Sequence, residues 1–286
     1  IMGGMSCGEV SHVPWRILKN SVNNCISISD ENIAKTVAML EKKHLSDEKI
    51  IGGECATPGV ISLIAACEDE YIKKDLELAL NREVRLMNDA NCFTLSEAVD
   101  GAGKDYKSTF GIIIGTGFGG GLSYNKSIIE GSNQIAGDWG HQPLPYPTKE
   151  EQETKISCPS NNCGRPLCAE QFMSGIGFKD RFNQKHDTNF TSEEIVKLDL
   201  ENDPRANLEL GLYEDRMARL MAVMIGIFDP DAIILGGGMS NIDRFYKNIP
   251  TLIPKYTFSN KIETKILKNL HGDSSGVRGA AWLWNN

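Results

Sequence analysis

Phe110-Gly111-Ile112-Ile113-Ile114-Gly115-Thr116-Gly117-Phe118-Gly119-Gly120-Gly121-Leu122 reads as two apolar strands around a glycine turn. Phe110 to Ile114 enters the turn, and Gly121 to Tyr124 leaves it, so the pattern predicts a β-hairpin. Five glycines fall within the seven residues from Gly115 to Gly121. A hairpin alone needs two or three. Backbone without Cβ atoms can approach phosphate oxygens closely, and Thr116 adds a hydroxyl donor. The turn lacks the Gly-Lys-Ser/Thr ending of a P-loop, and a strand rather than a helix follows it, which excludes a Rossmann fingerprint.

Upstream, Val84 to Met87 reads as a strand and Asn91 to Val99 as a helix, with Asn88-Asp89 between them. A carboxylate there, at the edge of a sheet, suits a general base acting on a hydroxyl. It suits a helix N-cap equally well. Downstream, Gly137-Asp138-Trp139-Gly140-His141 precedes Cys158, Cys163, Cys168 and Glu170. One histidine and three closely spaced cysteines form a donor set for tetrahedral, structural zinc. Asp138, His141 and Glu170 bracket it and offer polar groups to sugar hydroxyls.

Further out, Tyr146 to Cys158 reads as a loop, and Glu193 to Leu198 and Asn207 to Phe228 read as helices. Leu208, Leu212, Met217, Leu220, Met224 and Phe228 supply the apolar face of the second. Asp231 to Leu235 is a buried strand ending at Gly236-Gly237-Gly238, with a helix after Ser240. Gly276 to Trp284 closes the chain as a helix. Near the start, a helix over 31–43, a strand at 50–51 and a short helix over 75–80 are expected. Alternating strands and helices imply an α/β architecture. Glycine turns at Gly3-Gly4, 115–121 and 236–238 suggest two related halves serving one nucleotide.

The bulk properties narrow the field. The 286 residues suffice for two domains, and 41% apolar with 24% charged residues is a globular composition. With 30 basic and 38 acidic residues the net charge is -8, which argues against sequence-independent nucleic-acid binding. No apolar run approaches the roughly 20 residues of a membrane span, and no signal sequence is evident, so a cytoplasmic protein is expected. Of eight cysteines, Cys7, Cys25, Cys55, Cys67 and Cys92 read as small core residues.

Taken together, these residues resemble the ROK family of bacterial sugar kinases and repressors. The segments Val84 to Gly101 and Phe110 to Leu122 are most similar to its N-acetylglucosamine kinases, and Gly276-Val277-Arg278-Gly279-Ala280-Ala281 also fits. The resemblance implies an actin-like ATPase (ribonuclease H-like) fold of two α/β domains with a cleft between them. The first would span residues 1–108, completed by the C-terminal helix 275–286, and the second 109–274. It implies ATP, magnesium and zinc as cofactors and transfer of phosphate to the 6-hydroxyl of N-acetyl-D-glucosamine. Asp89 would be the base. Asn88, Asp138, His141, Glu170 and Gly59 would hold the sugar. Gly3, Gly4, Gly115, Thr116, Gly117, Gly119 and Gly237 would serve the nucleotide. His141, Cys158, Cys163 and Cys168 would hold zinc. A homodimer is implied on the same basis. Another hexose kinase, or a sugar-binding regulator without catalysis, remains open.

Four departures from the family pattern stand out. Ile1-Met2-Gly3-Gly4-Met5-Ser6 replaces an Asp-x-Gly-Gly-Thr-Lys opening, and the segment from Gly59 to Asn88 is short. Asp138 replaces a glutamate, and four residues rather than one separate Cys158 from Cys163.

Overall fold

A computed structural model describes residue 77 and residues 81–154, 157–158 and 163–285. Gly3, Gly4, Gly59, the glycine turn and secondary structure expected in the first sixty residues, and Cys7, Cys25, Cys55 and Cys67 lie outside the described residues. The chain divides into two units, Ile1–Met87 and Asn88–Asn286.

The second unit begins with α1 (Asp89–Val99), followed by the hairpin β1 (Ser108–Ile114) and β2 (Phe118–Tyr124) and the short β3 (Ser127–Ile128). Helices α2 (Lys149–Gln152), α3 (Ala169–Met173), α4 (Gly175–His186), α5 (Ser192–Leu200) and α6 (Pro204–Phe228) come next. Then follow β4 (Ala232–Gly236), a 3-10 turn at Gly238–Asn241, α7 (Arg244–Leu252), β5 (Lys265–Lys268) and α8 (Ser275–Trp282).

The strands form one mixed sheet in the order β3-β2-β1-β4-β5. β1 and β2 pair antiparallel, with Ile114 opposite Phe118 and Gly111 opposite Gly121. β4 joins β1 in parallel, with Ile112 opposite Leu235, and β5 joins β4 in parallel. β1 and β4 are almost wholly buried, as continuous apolar strands covered on both faces should be.

The hairpin expected from the sequence is present, but its glycines divide between two jobs. Gly115 to Gly117 make the connection, whereas Gly119, Gly120 and Gly121 lie within β2. α1 crosses this strand so closely that a Cβ on Gly121 would stand 2.6 Å from Asn91 Oδ1 and 2.8 Å from Thr94 Oγ1. Helix packing, not ligand access, therefore accounts for part of the glycine excess. α8 packs in turn on α1, and a Cβ on Gly279 would overlap the Cys92 carbonyl.

A buried carboxylate fastens that corner. Glu97 accepts hydrogen bonds from Ser275 Oγ (2.7 Å), Ala102 N (2.9 Å), Leu270 N (3.0 Å) and His271 N (3.2 Å). Asp100 beside it pairs with His271 Nε2 at 3.1 Å and with Arg278. α1 and α8 thus sit together with β1 and β2 in the unit that starts at Asn88.

The main core includes the hairpin residues Phe110, Ile112, Ile114 and Phe118 with Phe172, Phe182, Tyr213, Met217, Met221 and Phe245. Tyr213, fully buried, satisfies its hydroxyl by donating to Met173 O at 2.8 Å.

Several expected elements shift. Val84 to Met87 carries no strand. α6 starts at Pro204 because Asp203 caps it, accepting from Arg205 N and Ala206 N, and proline suits the first helical position. Its inward face is Ala206, Leu210, Tyr213, Met217, Leu220, Met221 and Ile225, while Leu208 is exposed. The segment expected as loop contains α2, closed by a capping box between Thr148 and Glu151. After Gly236 to Gly238 the chain makes the 3-10 turn first, and α7 begins only at Arg244. Cys92 is buried, as expected of a core thiol, and burial with the nearby Asp89 charge pushes it up to about 12. Among the described residues no helix is long and apolar enough to cross a membrane.

Candidate active site

The start of α1 gives the cap to Asn88 rather than to Asp89. Asn88 is the N-cap: its Oδ1 accepts from Ala90 N at 2.9 Å and from Asn91 N at 3.3 Å. Asp89 is the first helical residue and is exposed, and its Oδ1 accepts from Ala90 N at 2.9 Å. The capping job falls to the neighbour, which leaves a carboxylate presented at the helix entrance. Ala90, next to it, lies against β2, with its Cβ 3.8 Å from where a Gly119 Cβ would stand.

The hairpin turn is closed by Gly115 N donating to Gly117 O at 3.0 Å. A Cβ on Gly115 would meet nothing within 4 Å, and one on Gly117 would come only to 3.5 Å from Glu170 Oε2. Packing does not demand these glycines, unlike Gly120 and Gly121. Gly115 and Thr116 open instead onto a cleft of about 670 Å³, lined also by Gly175, Lys179, Ser192, Gly238 and Asn241. Gly175 N donates to Gly115 O at 2.7 Å, and Ser192 Oγ to Gly175 O at 2.9 Å, so three segments are tied at its rim.

Gly237 is required where it is for another reason. Its φ is 81°, and a Cβ would overlap the Ile114 carbonyl. Gly238, not Gly237, lines the cleft. Lys179, Ser192 and Asn241 were missed from the sequence. For Ser192 a signal existed: Thr191 and Glu194 form a capping box that places it in the first turn of α5.

On the far side of the turn, the loop 137–141 lies directly on β2. A Cβ on Gly140 would overlap the Phe118 carbonyl, and Gly140 O accepts from Glu170 N at 2.7 Å. His141 and Glu170 are brought together by this contact. His141 Nε2 is 3.8 Å from Glu170 Oε2, and its Nδ1 is 3.4 Å from Cys168 Sγ. Asp138 is exposed on the same loop.

Cys158 Sγ lies 3.5 Å from Cys168 Sγ and 3.7 Å from Glu170 Oε1. The ligand atoms of His141, Cys158, Cys163 and Cys168 all fall within 4.8 Å of one another. A zinc ion with Zn–S bonds of about 2.3 Å has tetrahedral S···S edges of about 3.8 Å, so the four donors fit that ion in number, type and spacing. The wide Cys158–Cys163 spacing does not keep Cys158 out of the cluster. Burial works against ionising Cys163, but the Arg165 N–H and the Cys168 and Cys158 thiols hold it below its usual value. Burial pushes Cys168 up, partly opposed by Cys158. Such a thiol set ionises readily once a cation shares its charge.

Among the expected site residues, the structure places Gly117, His141 and Glu170 together beside the turn, Asp89 next to Ala90, which packs on Gly119 of β2, and Gly115 and Thr116 on the cleft.

The sequence profile of the ROK family matches residues 60–286. The chain is 35% identical over 266 residues to the N-acetyl-D-glucosamine kinase of Aliivibrio fischeri, a match covering 90% of this chain and 87% of that one. Among solved structures, the ROK hexokinase of Thermus thermophilus superposes with a TM-score of 0.65 at 24% identity, covering 76% of this chain and 70% of that one. A ROK family glucokinase of Streptomyces griseus, in complex with glucose and AMPPNP, gives 0.63 at 22% identity, covering 74% of this chain and 71% of that one. The mixed sheet is thus the actin-like ATPase fold of ROK sugar kinases.

Proposed function

The chain belongs to the ROK family, and on that footing we propose that it transfers the γ-phosphate of ATP to the 6-hydroxyl of N-acetyl-D-glucosamine. The observation that carries this reading is the arrangement around the hairpin. Ala90, the residue after Asp89, lies against Gly119 and Glu170 lies against Gly117, while Gly115 and Thr116 open onto a nucleotide-sized cleft.

In this reading Asp89 accepts the proton of the sugar hydroxyl as its oxygen attacks the γ-phosphorus and ADP departs. Asn88, with Oδ1 committed to the helix cap, offers its amide N–H groups to the sugar. Glu170 and His141 Nε2 accept or donate to further hydroxyls, and exposed Asp138 adds a third partner. Backbone N–H groups of the turn and the Thr116 hydroxyl cradle phosphate oxygens, where donors aimed at developing charge are worth most. Lys179, Ser192 and Asn241 face the same ligand.

Bound zinc would tie the loop that carries His141 to the segment that carries Cys168 and Glu170, and magnesium carried with ATP would offset phosphate charge. His141 Nδ1 and the three cysteines would hold the zinc. That leaves His141 Nε2 for substrate, so one imidazole joins metal loop to sugar.

The test is ADP release with MgATP and N-acetylglucosamine, N-acetylmannosamine, glucose or fructose, comparing wild type with Asp89→Asn. Turnover greatest on N-acetylglucosamine and reduced about 10³-fold in the variant, with sugar still bound, is the expected result. A variant that keeps wild-type turnover removes Asp89 from the base role, and a preference for another hexose removes the substrate assignment.

A further inference from the structure

The segment 142–154 follows His141 and ends at Thr154, four residues before Cys158. Its first part is secured by backbone. Ala169 N donates to Gln142 O at 2.8 Å, Leu144 N donates to Leu167 O at 2.7 Å, and Pro143 bridges Cys168. These contacts fix His141 and Cys168. They do not reach toward Cys158.

The later part is secured differently. Glu151, 2% exposed, sits in α2 with both carboxylate oxygens gripped from α6. Arg216 Nε donates to Oε1 at 2.6 Å, Arg219 Nη2 to Oε1 at 2.8 Å, and Arg219 Nη1 to Oε2 at 3.0 Å. Arg219 Nη1 also donates to the Pro145 and Tyr146 carbonyls at 3.0 and 2.8 Å. From α4, Arg181 donates to Thr154 Oγ1 at 3.0 Å while lying over the Phe172 ring at 4.0 Å. Lys185, also of α4, pairs with Glu150 at 3.0 Å.

Burying a carboxylate with two guanidiniums is costly, and removing one partner strands the others. A four-residue helix with its own capping box has little local need of such a cluster. The cluster does, however, anchor the chain up to Thr154, four residues before the one cysteine whose spacing departs from the family pattern. We propose that Glu151, gripped by Arg216 and Arg219, is a positioning residue for Cys158 and, through it, for the Glu170 carboxylate 3.7 Å away. This inference rests on the zinc and sugar roles proposed above. A loop lengthened between Cys158 and Cys163 loses less entropy on closing around a metal when its entry is already fixed.

The test uses the full-length, zinc-loaded protein and the variants Glu151→Gln, Glu151→Asp and Thr154→Val. Zinc transfer to a colorimetric chelator is timed, and KM for sugar, KM for ATP and kcat are measured separately. Glu151→Gln is expected to lose zinc about tenfold faster or more and to raise the sugar KM several-fold, with KM for ATP and kcat little changed. Glu151→Asp should restore part of the zinc retention. Thr154→Val, which removes the half-buried Arg181 grip, should shift both quantities the same way by less. Wild-type zinc loss and sugar KM in a folded Glu151→Gln protein overturn the proposal, as does an unchanged Thr154→Val protein should Glu151→Gln not fold. A wild type that binds no zinc overturns it too, but that failure shows before any variant is made and belongs to the metal reading.

Discussion

The two walls of the proposed site are built by opposite means. One wall, α1 and the loop 137–141 laid on β2, is packed on glycine: Gly121 admits the Asn91 and Thr94 side chains of α1, and Gly140 lets its loop meet the Phe118 carbonyl. The other, from His141 through α2 to Cys168 and Glu170, is electrostatic. It depends on a buried ion cluster and on four soft metal donors. Close packing is indifferent to salt, pH and chelators, whereas ion pairs and thiolates respond to all three. Asp89, the proposed base, sits on the wall packed on glycine. Glu170 and His141, proposed to face the sugar, sit on the responsive one. Chemistry and substrate affinity should therefore be separable by perturbation.

The harshest challenge to this contrast is to overfill the steric wall. Gly140→Ala would drive a Cβ into the Phe118 carbonyl, and because that obstacle is backbone the sheet or the loop must move. A loss of about 3 kcal/mol in urea unfolding is expected; a loss below about 1 kcal/mol would show that the loop lies on β2 less firmly than the structure has it.

Acid should act on the other wall. Burial pushes the Glu151 carboxyl up, but Arg219, the Thr148 N–H and Arg216 outweigh it and hold it at about 2. Its folded value is depressed, so its stabilising contribution is present above the unfolded value of 4.5 and is lost as pH falls toward 2. In metal-free protein that contribution is about 3 kcal/mol, read as the fall in stability between pH 5 and 2. Glu151→Gln should flatten that fall. An equally steep acid limb in the variant would move the effect to another carboxylate.

Chelation gives a subtler contrast. Removing zinc should raise amide exchange in 142–154 and 163–171 while leaving α1, β1 and β2 protected. Uniform loss of protection would mean that the metal supports the whole unit.

The smallest effect on stability belongs to Gly115→Ala. Open space surrounds the added methyl, so stability should change by less than about 0.5 kcal/mol. The KM for ATP should nevertheless rise several-fold, because the methyl enters the cleft. An unchanged KM would place the phosphates elsewhere.

Much of this arrangement is legible in the chain itself. The apolar runs of β1 and β4, the glycine turn, and the cysteine spacing are local patterns with local physical causes, and they carry the α/β reading and the metal donor set. The N-cap at Asn88 and the capping boxes at Thr148–Glu151 and Thr191–Glu194 are equally local and place α2 and α5 more accurately than apolar periodicity does. Other features are not readable in that way. The inward face of α6 depends on which neighbours cover it, so Leu208 is apolar yet exposed while Glu214 and Arg216 are buried. Nothing near Glu97 in sequence announces its partners Leu270, His271 and Ser275.

The hairpin, the helix-strand alternation and the types of donor available are thus written in the amino-acid order, because backbone propensity, capping and periodicity act within a few residues. Two outcomes came only from the packed fold: which glycines serve packing and which face the cleft, and that Cys158 reaches the cluster across its long spacing. They turn on contacts between segments far apart in the chain, such as Gly121 with Asn91 and Glu151 with Arg219. The strength of those contacts depends on distances that no local pattern sets.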